Sequence, residues 1–406
     1  MNRILSEDSI DNEYLSKIKH MPSKGSDYYT SIFTNPNLAM ELEKGETISE
    51  ENVDSKIEVR MTEKEEDSVL SKVASKERKS NIIDYMRRMS HLVYEGGIQS
   101  VKKMPNEDRI ASGSYGSISM NPNNHGEVVK FINKSYHLSS LLNEIVFSFK
   151  VRNSNIFTRI NGILENSSGI GVTMKKEDCD LYMLIEENPD LISNALFWAD
   201  FIDSFLNILI ELEKERIIHC DIKEENILIS HSAFNSTKRL QFHYRLIDFG
   251  MAYFCNHSCL VNSSGYTCLG TMGYASPEMM KYDPVRKVTN SLFRPSYKSD
   301  LWSFGATIVS ILNFGVNQSE FKIIMDKIVE DISHDKDPAY LRSVPINMRY
   351  FLYAILDPYV ESRLSAVQAR DLWNYLDNFS ASELSRFKFA NLRGSTIYNR
   401  FKAYST

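Results

Sequence analysis

The stretch Ile217-Ile218-His219-Cys220-Asp221-Ile222-Lys223-Glu224-Glu225-Asn226-Ile227-Leu228-Ile229 decides how the rest of the chain is read. Apolar residues open and close it. Between them stands a polar loop whose acid, lysine and asparagine fall at positions 0, +2 and +5. Such a loop can supply a base, a cation for developing negative charge, and a carbonyl oxygen for a hard metal ion. Downstream, Leu246-Ile247-Asp248-Phe249-Gly250 sets a second carboxylate at the end of an apolar strand, followed by a glycine that lets the backbone turn.

Upstream lie two weaker signals. In Ile110-Ala111-Ser112-Gly113-Ser114-Tyr115-Gly116-Ser117-Ile118, glycines separate two β-rich pieces, so backbone N–H groups can approach a phosphate without Cβ interference. A plain hairpin has the same pattern. In Glu127-Val128-Val129-Lys130-Phe131 a lysine interrupts an apolar strand, which is costly unless the ammonium finds an anion or the strand edge faces water. The helical segment Leu141-Leu142-Asn143-Glu144 offers a carboxylate. Two acids and an amide around a phosphate cradle make a magnesium–nucleotide site.

Taken together and in order, these motifs resemble the eukaryotic-type serine/threonine protein kinase family. Gly270-Thr271-Met272-Gly273-Tyr274-Ala275-Ser276-Pro277-Glu278 is similar to the end of its activation segment, and Asp300-Leu301-Trp302-Ser303-Phe304-Gly305 to the start of its central buried helix. Arg363 matches the arginine that pairs with the segment-end glutamate, here Glu278. The resemblance implies an α+β bilobal fold, with a small β-rich N-lobe and a larger helical C-lobe. It implies ATP and Mg²⁺ as cofactors and protein serine and threonine hydroxyls as acceptors.

Roles carry over residue by residue. The glycine-rich loop, residues 110–118, would cover the phosphates. Lys130 would hold them and be steadied by Glu144, and Met174 would guard the back of the adenine pocket, with Lys175–Glu177 as hinge. Asp221 would take or orient the substrate proton, Lys223 would stabilise the transferring group, and Asn226 and Asp248 would bind the metal. Lys223 and Gly270-Thr271 resemble the serine/threonine branch. Glu225 and Asp180 fall near positions that contact basic substrate residues in some members. Retention of Lys130, Asp221, Asn226 and Asp248 disfavours the rival reading, a pseudokinase scaffold. The Gly270–Glu278 segment disfavours a lipid or small-molecule kinase.

Some positions depart from the family pattern. Ala111 replaces the first loop glycine, and Val128 a smaller residue under the adenine. Cys220 replaces the arginine that receives the activation-loop phosphate, so activity should not depend on that modification. Ser148, four after Glu144, stands where a bulky apolar residue is expected, so either the helix register is shifted or the N-terminal helix fills the gap. His231–Gln241 reads as an inserted loop.

Composition sets the frame. At 42% hydrophobic and 25% charged residues, the 406-residue chain is ordinary for a globular protein, and its net charge of −6 gives no strong nucleic-acid signal. Five cysteines argue against a disulfide framework and for a reducing, intracellular setting, cytoplasm or nucleus. Cys255, His257, Cys259 and Cys268 match no standard zinc pattern. Leu301–Ser319 is uncharged, but its polar residues favour a buried helix over a membrane span. Three segments follow: an N-terminal extension, 1–104, with a helix near 79–94; a kinase domain, 105–378; and a basic aromatic tail, 379–406, that packs on the body or meets RNA or an anionic surface.

Overall fold

The computed structural model describes residues 98–100, 109–113, 116–121, 123–133, 138–151, 153–165, 169–231, 242–255, 261–263, 267–283 and 286–376. The helix expected near 79–94, the basic tail and most of the inserted loop lie outside them. Strands come first. β1 (Ile98–Ser100), β2 (Arg109–Gly113), β3 (Gly116–Met120), β4 (Glu127–Asn133), β5 (Ile160–Glu165) and β6 (Gly169–Lys175) form one sheet in the order β1-β5-β6-β4-β3-β2. All neighbours are antiparallel except β1 on β5, where Ile98 pairs with Ile163. The sequence gives no hint of β1. The β-rich run Ile156–Leu164 reads as one strand, but β5 starts only at Ile160: residues 156–159 form a loop that bonds instead to Leu246, through Leu246 N to Ile156 O and Thr158 N to Leu246 O.

Helix α1 (Leu138–Lys150) crosses this sheet. Leu141, Ile145, Val146 and Phe147 are buried, and Phe147 lies against Phe254 with ring centroids 4.4 Å apart. Ser148 does not disturb the register. Its hydroxyl donates to Thr158 O and accepts from Ile160 N, while Phe147 and Phe157 supply the aromatic contacts to Phe249. A small polar residue fits there because it ties the helix to the loop rather than filling the stack.

The larger lobe is helical. β7 (Cys179–Asp180) leads into α2 (Leu181–Glu187), and Asn194 caps α3 (Ala195–Lys214) by accepting from Leu196 N and Phe197 N. The apolar face of α3, including Phe201, Phe205, Ile208, Leu209 and Leu212, is buried as its helical spacing predicts. The uncharged run resolves into α4 (Tyr297–Leu312), a turn, and the start of α5 (Gln318–Ser333), which Asn317 caps. Most of α4 is buried, and a Cβ at Gly305 would come within 2.8 Å of Leu356 Cδ2, so close helix approach requires glycine there. α6 (Ile346–Ile355) and α7 (Ala366–Leu376) complete the core. Among the described residues no helix is long and apolar enough to cross a membrane.

Candidate active site

Between the lobes, short strands bring the conspicuous polar residues together. β8 (Ile217–Ile218) pairs with β11 (Tyr253–Phe254), and β9 (Ile227–His231) pairs with β7 and β10 (Phe242–Leu246). The two hairpins fix the loop 219–226 beside Asp248. Asp300, near the start of α4, accepts the backbone N–H of His219 at 2.7 Å and of Cys220 at 2.9 Å. The backbone can present both amides because Cys220 lies in the left-handed region, with φ 68°. A single buried carboxylate thereby aims the loop.

His219 is a second strut. Its Nε2 lies 2.9 Å from Ile247 O, and its Nδ1 accepts from Asp221 N at 3.3 Å, which requires the neutral ring with the proton on Nε2. Burial pushes its pKa down and agrees with that form. The ring also stands edge-on to Phe249, centroids 5.1 Å apart.

The Asp221 carboxylate is clamped at both oxygens. Thr271 Oγ1 donates to Oδ1 at 2.6 Å, Asn226 Nδ2 reaches Oδ2 at 3.2 Å, and Lys223 Nζ stands 4.0 Å from Oδ2. Burial works against the Lys223 ammonium, yet Asp221 and Glu225 outweigh it and its pKa stands above the ordinary lysine value. Gly270 brings Thr271 in: at φ 102° its missing Cβ would meet Cys220 O at 2.5 Å.

Lys130 Nζ, from β4, lies 2.8 Å from Glu144 Oε2 on α1 and 3.2 Å from Asp248 Oδ1. Two carboxylates share one cation. Burial and the nearby Asp248 raise the Glu144 pKa against the pull of Lys130, while Lys130 outweighs burial at Asp248 and holds it low. The surplus negative charge and hard oxygen donors fit a divalent cation. Asn226 fits as well: its amide nitrogen is committed to Asp221 O and Oδ2, so its carbonyl oxygen is the end available to a cation. Asp248 itself sits at φ 66°, and its carboxylate accepts from Gly250 N.

The glycine-rich loop is a tight hairpin: Gly113 and Gly116 are register partners closing β2 and β3, with Ser114 and Tyr115 outside the described residues. Met174 is buried on β6 opposite Val128. Beyond it, the buried Glu177 carboxylate is paired with Lys175 and Arg245, each at 3.1 Å. Among the described residues no group of histidine, cysteine and acid side chains could hold a further metal. Cys255 and Cys268 are free thiols whose pKa burial raises, that of Cys268 to about 11. His257 and Cys259 lie outside the described residues.

Arg363 is the last motif residue. It forks onto Glu278 at 2.8 and 3.1 Å and lies over the Trp302 ring. Asp300 and Thr271 stand in motifs read from the sequence, but three contacts carry no signal there: the bonds of Asp300 to the loop amides, the Thr271 hydroxyl on Asp221, and the hydroxyls of Tyr274 and Ser310 on Glu224. Their partners lie 50 to 86 positions away, where no local pattern can announce them.

A small lobe with a lysine–glutamate pair, a helical lobe, and an acid-rich loop between them make the bilobal fold of a protein kinase. The chain belongs to the protein kinase family, whose Protein kinase domain matches residues 105–373. It is 28% identical over 260 residues, 61% of this chain, to the PAS domain-containing serine/threonine-protein kinase of Mus musculus, covering 16% of that protein. It is 34% identical over 133 residues to Dual specificity tyrosine-phosphorylation-regulated kinase 3 of Homo sapiens, covering 33% of this chain and 19% of the relative. Against Serine/threonine-protein kinase MPS1 of Encephalitozoon cuniculi it is 26% identical over 200 residues, 49% of this chain and 30% of that one. The chain thus spans less than a third of the length of these relatives.

Proposed function

We propose that this protein is a serine/threonine kinase that transfers the γ-phosphoryl group of ATP to hydroxyls of protein substrates. The observation that carries it is the meeting of Lys130, Asp221, Asn226 and Asp248 at one cleft, each held by a named partner. The hydroxyl oxygen of the substrate attacks the γ-phosphorus, the bond to the β–γ bridging oxygen breaks, and ADP leaves. Asp221 receives the hydroxyl proton, with Thr271 fixing one oxygen so that the other faces the acceptor. Lys223 offsets charge on the transferring group, and Lys130 holds the phosphates. Mg²⁺, when bound, would be held by Asn226 and Asp248 and would neutralise phosphate charge.

Lys223 and Thr271 beside the base support aliphatic hydroxyls as acceptors. Asp180 and Glu225 support basic residues near the phosphorylated position: their charges act on one another, and burial first, with Glu225 adding, raises Asp180 to about 7 despite its bond from Met183 N. A cationic side chain would relieve that repulsion.

The test is transfer from labelled ATP to a generic protein substrate by the wild type, Asp221→Asn and Lys130→Met. Loss of the base lowers the rate by about 10²–10⁴. Equal signals from all three would mean a contaminant, and equal silence with retained ATP binding would mean a scaffold. Serine, threonine and tyrosine peptides compared side by side read the acceptor preference.

A further inference from the structure

The catalytic loop is gripped from both sides by buried acids, and both grips lead to the same helix. Before Asp221, the loop amides of His219 and Cys220 run to Asp300 near the start of α4. After it, Glu224 Oε1 accepts the hydroxyl of Ser310, near the end of α4, at 2.6 Å. The same oxygen accepts the Tyr274 hydroxyl at 2.7 Å. Glu224 is 4% exposed, and its other oxygen is enclosed without a hydrogen-bond partner among the described residues. Burying a carboxylate is expensive, and packing alone would favour an apolar side chain. The Tyr274 end of the link matters because Tyr274 N bonds Thr271 O at 3.0 Å, so Tyr274 and Thr271 belong to one turn. Ser303 Oγ holds the Tyr274 carbonyl, and the Tyr274 ring packs on Phe321, centroids 5.0 Å apart.

We propose that Glu224 is a positioning residue for phosphoryl transfer: through the Tyr274 hydroxyl it holds the turn 271–274 against the catalytic loop, so that Thr271 keeps its hydroxyl on Asp221. The inference rests on the kinase reading and adds a residue to it. Charge on Glu224 sets the strength of the grip, since a hydrogen bond to an ionised acceptor is roughly twice as strong as a neutral one.

The test measures kcat and KM for a peptide substrate, with ATP affinity alongside, in wild type, Glu224→Gln, Tyr274→Phe and the double variant. Glu224→Gln removes the charge and keeps the shape. It lowers kcat by about five-fold and leaves KM and ATP affinity within about two-fold. Tyr274→Phe lowers kcat similarly, and the double variant is no worse than the poorer single one, because the two changes break one link. A wild-type kcat in Glu224→Gln, or losses that multiply in the double variant, overturns the inference. If Glu224→Gln fails to fold, an unchanged kcat in Tyr274→Phe overturns it alone. A wild type no more active than Asp221→Asn sinks the kinase reading and this inference with it, whereas an active wild type with indifferent variants sinks only the inference.

Discussion

Among the buried ion pairs of the described residues, two differ sharply in how much charge is left over. At the foot of α4, Arg363 is saturated: it forks onto Glu278 and also donates to Lys298 O and Asp357 O, while Ser299 Oγ donates to Glu278 Oε1. Arg363 outweighs burial there and holds the Glu278 carboxyl below the usual range. In the cleft, Lys130 faces two carboxylates and balances only one. The first arrangement is complete and therefore structural. The second is one cation short, and that shortfall suits it to the divalent ion proposed above.

The contrast can be broken at either end. Arg363→Met strands a buried carboxylate and should lower unfolding free energy by about 3–5 kcal/mol in urea titrations. The folded fraction should keep most of its phosphotransfer. The stabilisation that the pair gives through Glu278 is present above the carboxyl's unfolded value of 4.5 and is lost as pH falls through its lower folded value. Below that window wild type and variant should therefore converge in midpoint. Lys130→Met should do the reverse, cutting phosphotransfer by about 10²–10³ while its urea midpoint moves less than that of Arg363→Met. A larger stability loss at Lys130 than at Arg363 would erase the distinction between the two sites.

The smallest expected effect concerns a third way of holding a loop in place, without charge. Cys220 lies in an apolar cluster with Met251, Tyr253, Val261, Leu269, Met279 and Phe293, where an arginine would have demanded an anion. The segment around Val261 is pinned by backbone and side chain alike: β12 (Val261–Asn262) pairs with β13 (Leu292–Phe293), and Lys281 Nζ donates to Ser263 Oγ at 2.7 Å. Phosphatase treatment of the purified protein should leave activity unchanged within about two-fold, since the segment has apolar burial in place of a phosphate contact. Loss of activity on that treatment would restore a role for phosphorylation.

The residues that meet in the cleft were legible because each carries its own chemical oddity in a local frame. Lys130 interrupts an apolar strand, and Asp221 and Asp248 follow apolar strand ends. What was not legible depends on distant partners. Ser148 looked like a gap in a stack until its two backbone bonds to Thr158 and Ile160 were seen. Glu224 reads as one more solvated acid beside Glu225, and only Tyr274 and Ser310 show otherwise. The two-residue strands β12 and β13 are too short for any period to register.

Strand β1 carries a practical lesson about where this protein can be cut. The family match begins at residue 105, but residues 98–100 lie before it and hydrogen-bond along the outer side of β5. A fragment trimmed to the family boundary would strip that covering and leave β5 with a bare row of amides and carbonyls, ready to zip onto a neighbouring copy. Seven further residues at the amino side would be the difference between a monodisperse sample and a sticky one.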